Sequence, residues 1–275
     1  MTSTATPDKS NYPNLIGNKA EGAIKKLPAE KDHSEYCLLL ALEASGDAVS
    51  VALINHGGCI AFKQHNARFG HAEYLIDMVQ GLMEEADTSF SDLTHIAAGC
   101  GPGSFTGLRV CLSAAKGYML ATTATALGVN GLAALAVDSI IQGQTEQRQS
   151  GPHLCFADTR RNSLFVQEFG PQANMLSPVR DVPLERITSY IEEACLRFDG
   201  LCLTLTGHVT DLADLVSTEK HIFCHPRSLD AQMIGRYALQ SLSSPHMYPC
   251  SGFEPLYVVA PKLGLAKRQV SYDSL

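Results

Sequence analysis

The sequence predicts an α/β fold of two similar halves, each read as three short strands followed by helix, strand and helix. Three observations predict it. Clusters of short apolar runs cut by turn residues occur twice, helical periodicity follows each cluster, and a glycine-rich turn, Gly101 to Arg109, joins a strand-like run to an apolar helical run.

The elements follow in order. Cys37 to Leu42, Val49 to Ile54 and Cys59 to Lys63 read as strands separated by Ser45-Gly46-Asp47 and His56-Gly57-Gly58. A helix is predicted over about Ala72 to Ala86, a strand over Thr94 to Cys100 and a helix over Gly107 to Ala121. The polar, Gln-rich stretch Gln142 to Gly151 reads as the loop between the halves, which are placed at 37–149 and 150–275. In the second half, His153 to Ala157, Leu164 to Phe169 and Met175 to Val182 read as strands, Leu184 to Arg197 as a helix and Leu201 to Thr206 as a strand. Val209 to Val216 reads as a short helix, Ile222-Phe223-Cys224 as a strand and Leu229 to Leu242 as a helix. Residues 1–36 form a polar extension containing Pro7, Pro13 and Pro28. It has no apolar signal-peptide core, and Asp8, Glu21, Glu30 and Asp32 do not suit a transit peptide; it reads as a mobile tail.

Composition sets the outer limits. A chain of 275 residues with 45% hydrophobic and 18% charged residues can bury a large core. Its formal charge of −7 lacks the basic footprint that would hold tRNA directly. Nine cysteines without a CxxC pair suggest buried, reduced thiols and a cytoplasmic location rather than disulfides or zinc. No apolar run reaches the roughly 18 residues that suggest a membrane span.

The turn at Gly101 places backbone N–H groups at a helix start, suited to phosphate or to a second backbone. Gly101, Gly103, Ser104, Thr106 and Gly107 are therefore the candidate loop contacts for a nucleotide. A Walker loop is excluded because Gly101 to Gly107 is one residue too long and Leu108 stands at the lysine position. A nucleophile elbow needs glycines two before and two after Ser104, where Pro102 and Thr106 stand, so Ser104 reads as a loop or capping hydroxyl.

This loop, with Gly70-His71-Ala72-Glu73, Gly128-Val129-Asn130 and Pro255-Leu256-Tyr257, resembles the TsaB (YeaZ) family, non-catalytic subunits of bacterial tRNA threonylcarbamoyladenosine synthesis. The resemblance runs from about Cys37 to Lys262. Together with the duplicated plan it implies the actin-like ATPase (ASKHA) fold. It also implies a TsaD-like transferase as partner, a TsaE-like ATPase docking on the pair, TsaC making the adenylate, tRNA reached through the complex, and self-association of the chain as an alternative. No catalytic residue or cofactor is then expected on this chain alone, with ATP and metal on the partner subunits.

Departures from the fold's usual chemistry agree with that expectation. The first turns of the two halves read Glu43-Ala44-Ser45-Gly46 and Asp158-Thr159-Arg160-Arg161, and Glu43 stands where the resembled family has Asp. The catalytic relative carries HxxxH after Gly-Val-Asn; here Gly131 and Leu135 occupy those positions. His221 and His225 have HxxxH spacing but sit in a strand-like run before Pro226. A stand-alone kinase or ATPase and a metallopeptidase are the rival readings, and each lacks its expected ligands.

The positive signal lies in two helices. At about 100° per residue, Leu75, Val79, Leu82 and Ala86 form one stripe, which Tyr74, Ile76, Met78 and Met83 widen beyond what one sheet covers. In the second helix the polar residues Arg109, Ser113 and Lys116 fall on one strip, and Ala114, Ala115 and Gly117 would let another helix approach closely. The expected partner interface is Tyr74, Ile76, Met83, Cys111, Ala114, Ala115 and Tyr118.

Overall fold

A computed structural model describes residues 37–66, 71–146, 151–198, 201–209, 212, 222–244, 247, 250 and 252–258, with residues 71–73 described for the backbone alone. The expected extension, His221 and most of the expected 209–216 helix lie outside these residues.

The first half runs β1 (Leu38–Glu43), β2 (Val49–Asn55), β3 (Gly58–His65), α1 (His71–Glu85), β4 (His95–Gly99), α2 (Phe105–Ala121), β5 (Thr125–Val129) and α3 (Gly131–Thr145). The second runs β6 (His153–Asp158), β7 (Ser163–Phe169), β8 (Arg180–Pro183), α4 (Ile187–Arg197), β9 (Leu203–Gly207), β10 (Ile222–Pro226) and α5 (Ala231–Ser241). The sheets are ordered β3-β2-β1-β4-β5 and, read from its other edge, β8-β7-β6-β9-β10. In each, the hairpin strands pair antiparallel and the later strands parallel. The two halves thus share one topology, that of the actin-like fold.

The first half is longer than the sequence pattern indicates, because β5 and α3 follow α2. The Gln-rich stretch from Gln142 is the end of α3, not all loop. The reason lies in α3 itself: every residue from Gly131 to Ser139 is buried, so the helix shows no polar face for periodicity to detect. Met175 makes only an isolated bridge to Phe169, and the third strand of the second half begins at Arg180.

Burial on both faces also explains the continuous apolar run of β1. Leu38, Leu40 and Leu42 enter a core with Leu75, Val79 and Leu82 of α1 and Cys111 and Leu112 of α2. Leu39 and Ala41 point the other way, into a middle core with α3 and α5. Leu154, Phe156, Leu164 and Val166 of the second sheet meet α4 in a third core, while Cys155, Phe165 and Phe169 join the middle one. Alternation within an apolar run therefore distributes side chains between two cores.

The middle layer ties the halves together by exchange. Helix α3 packs against β6, β7 and β9, whereas α5 packs against the first sheet. Gly235 permits that approach, since a Cβ there would lie 2.3 Å from Ile54 Cδ1. Asp138 of α3, 1% exposed, accepts hydrogen bonds from Arg227 Nε at 3.0 Å and Arg236 Nη1 at 2.7 Å. A carboxylate so deeply buried is tolerated because both of its oxygens face a guanidinium.

Candidate functional site

The Gly101 turn is built against a second backbone. Gly101 takes φ +96°, in the region open to glycine, and Ser104 donates its N–H to Ser45 O at 2.8 Å. A Cβ on Gly103 would lie 2.6 Å from the same carbonyl, so the β1–β2 turn and the loop can touch only at a glycine. Ser104 is the N-cap of α2, its Oγ accepting from Gly107 N at 3.3 Å, while Thr106 is exposed and Gly107 buried. Ser104→Ala should cost about 1 kcal/mol of stability in a denaturant titration. Because the hydroxyl serves only the cap, the same variant should keep the Ser104 N–H bond to Ser45 O and the turn it holds.

Motifs distant in sequence converge on this turn. Gly131 N donates to Gly101 O at 2.8 Å. Asn130 caps α3 by accepting from Leu132 N at 2.9 Å and donates to Gln167 Oε1 of the second half at 2.8 Å. Leu256 N donates to Cys100 O at 2.7 Å, and the Tyr257 ring tilts against Phe105 with centroids 5.6 Å apart. Arg109 lies over Phe105, its guanidinium carbon 3.8 Å from the ring centroid. Gly70 lies outside the described residues; His71, Ala72 and Glu73 open α1.

A cleft of about 360 Å³ lies between the halves, bordered by Ser45, Asp47, Gly103, Leu135, Asp158 and Arg160. Arg160 reaches across it, with Nη2 2.6 Å from Asp47 Oδ1 and 3.1 Å from Gly46 O. Asp158 instead accepts from the backbone N–H of Arg160 at 2.7 Å, so the Arg160 guanidinium pairs across the halves rather than with its neighbour. Glu43 does not face the cleft. It is wholly buried; Oε1 accepts from Ser45 N at 2.5 Å and from Ser45 Oγ, and a Cβ on Gly99 would lie 1.7 Å from Oε2. A metal-held triphosphate fits this arrangement poorly, because the carboxylate of the first turn is folded inward and a guanidinium spans the mouth. His225 lies in the strand β10, not on a helix, and His221 lies outside the described residues.

Burial pushes the Glu43 carboxyl up to about 7, against the opposing effect of the Ser45 hydrogen bonds. Its folded pKa lies above the unfolded value of 4.5, so the fold holds a proton that the unfolded chain has released. Stability on this account is full below 4.5 and declines as pH rises to about 7. Glu43→Gln keeps an acceptor for Ser45 and should abolish the decline. At about pH 8 the variant should exceed wild type by roughly 3 kcal/mol, measured by denaturant unfolding across pH.

Helices α1 and α2 lie side by side on the outer face of the first sheet, and their exposure divides the expected interface residues. Tyr74 (41% exposed) and Ile76 (49%) face outward, as does Leu120 (91%), which the sequence reasoning missed. Leu120 continues the strip of Arg109, Ser113 and Lys116 by one further turn, a spacing that could have revealed it. Ala114 and Tyr118 are half-buried, and Tyr118 stacks on Phe90 with centroids 5.4 Å apart. Met83, Cys111 and Ala115 are corrections, because all three lie in the core between the helices and the sheet. The wide apolar arc of α1 is covered on one side by the sheet and on the other by α2. A groove between the helices, lined by Ile76, Gln80, Phe90 and Tyr118, leaves Met83 only 3% exposed.

Comparison with known proteins places the chain beside one group. A family model described as "TsaD: tRNA N6-adenosine threonylcarbamoyltransferase" matches residues 64–191. Escherichia coli tRNA threonylcarbamoyladenosine biosynthesis protein TsaB is 31% identical over 136 residues, covering 50% of this chain and 56% of the bacterial protein. The matched region thus spans little more than half the length of that relative. The tRNA N6-adenosine threonylcarbamoyltransferase of Granulibacter bethesdensis is 32% identical, over 43% of this chain and 37% of that protein. In fold, YeaZ from Pseudomonas aeruginosa superposes with a TM-score of 0.64 at 23% identity, covering 81% of this chain and all of that one.

Proposed function

We propose that this chain, a member of the TsaB (YeaZ) family, is the scaffolding and activating subunit of a threonylcarbamoyladenosine synthesis complex. It pairs with a TsaD-like transferase that modifies N6 of the adenosine next to the anticodon in ANN-decoding tRNAs. The observation that carries this reading is the outward face of α1 and α2, where Tyr74, Ile76 and Leu120 expose apolar surface on helices already packed on their own sheet. On this reading the chain supplies an interface, while ATP, the metal and the reacting groups belong to the partner subunits. A TsaE-like ATPase would dock on the pair, and tRNA would reach it through the assembled complex.

Co-purification with the cognate TsaD-like protein tests the pairing. A stoichiometric complex is expected, with modification of an ANN-decoding tRNA dependent on both chains. Turnover of ATP, adenylate or peptide that tracks the purified chain alone would overturn the non-catalytic assignment, and failure to co-purify would overturn the partnership.

A further inference from the structure

A pair of cysteines outside the motifs above meets where the C-terminal segment joins the first sheet. Cys100 directly follows β4, is fully buried, and donates its N–H to Val129 O at 2.7 Å. Cys250, half-buried, forms an antiparallel bridge to Gly128 and donates its N–H to Gly128 O at 2.7 Å. Both side chains converge on the space that Gly128 leaves empty. A Cβ there would lie 2.9 Å from Cys100 Sγ and 3.1 Å from Cys250 Cβ.

The two thiols are chemically unequal. Cys100 Sγ lies 3.6 Å from Ala98 O, its hydrogen-bond acceptor, and the neighbouring Cys250 together with burial raises its pKa, while the proximity of Cys100 lowers that of Cys250 to about 7. Because Cys250 is only half-buried while Cys100 is fully buried and converges with it on Gly128, Cys250 is the nucleophile and Cys100 is placed to resolve what forms on it.

We propose that Cys100 and Cys250 form a redox-active dithiol, oxidised by a small-molecule disulfide to a bond that staples the C-terminal segment onto the first sheet. The Cys250 thiolate attacks one sulfur of the oxidant, forming a mixed disulfide and releasing one thiolate. Cys100 then loses its proton and attacks Cys250 Sγ, forming the internal bond and releasing the second thiolate. Two protein thiols are oxidised, and the two protons they lose are taken up by the two released thiolates, so one disulfide is reduced to two thiols. The bond would close the long loop between residues 100 and 250. It would also tether the segment that carries Leu256 and Tyr257, the residues that contact the Gly101 turn.

The test uses the full reduced chain treated with oxidised glutathione, after which free thiols are blocked and the protein is mapped by mass spectrometry. A peptide linking Cys100 to Cys250, an intact mass lower by two hydrogens and reversal by dithiothreitol are expected. Oxidation should also raise the melting temperature of wild type but not of Cys250→Ser, whose Cys100 should remain unmodified. A wild-type map with both cysteines reduced, a glutathione adduct persisting on Cys250, or linkage to any of the other seven cysteines would overturn the proposal. The wild-type map decides the matter even if a variant does not fold.

Discussion

Met83→Glu should unfold the first half of the protein, whereas Ile76→Glu should leave it folded and lose the partner. The two positions lie on one helix, α1, and differ in what surrounds them. Met83 is 3% exposed in the core shared with α2, and an unpaired carboxylate buried there costs several kcal/mol. That is a large part of the ~5–15 kcal/mol that holds a typical domain together. Ile76 is 49% exposed, so a charge there should change folding stability by less than about 1 kcal/mol. At an interface core the same charge would be desolvated, and a loss of roughly 1.4 kcal/mol already weakens binding tenfold. Circular dichroism melting, paired with calorimetric titration of the TsaD-like partner, separates these effects. If Ile76→Glu binds as tightly as wild type, the partner does not use this face.

The second large effect is expected at the clasp between the halves. Removing both arginines in Arg227→Ala/Arg236→Ala leaves Asp138 buried among α3 and α5 with neither guanidinium, and should destabilise the protein by about 3–5 kcal/mol. Asp138→Asn should cost less, because the arginine side chains are 40% and 38% exposed and can turn to solvent. The asymmetry follows from burial: the carboxylate cannot rehydrate without opening the middle layer. Denaturant titrations of the two variants should therefore rank the double arginine variant as the less stable. Equal losses would mean that the charges interact mainly with water and that the clasp is a surface feature.

The expected elements that match best are those whose signal is local. The β1–β2–β3 meander, α1 and α2 stand out because turn residues interrupt apolar runs and because their helices have a wet face. Ser104 could be read as a cap because capping needs only a hydroxyl and an N–H three residues on. The interface residues were harder to sort. Periodicity shows that α1 has a wide apolar arc, but it does not distinguish a neighbouring helix of the same chain from a partner, and only packing reveals that Met83, Cys111 and Ala115 are buried.

By itself the sequence determined the duplicated α/β plan, the glycine turn and its cap, and the presence of an apolar helix pair. Only the tertiary structure decided that α3 and α5 exchange sheets, that Glu43 turns inward, that Asp138 is clasped by two arginines and that Cys100 meets Cys250. The physical reason is range. Turns, caps and helical faces are set by residues within a few positions of each other. Burial of α3 on all sides, and the meeting of groups some 90 to 150 residues apart, depend on how two sheets close over a shared middle layer.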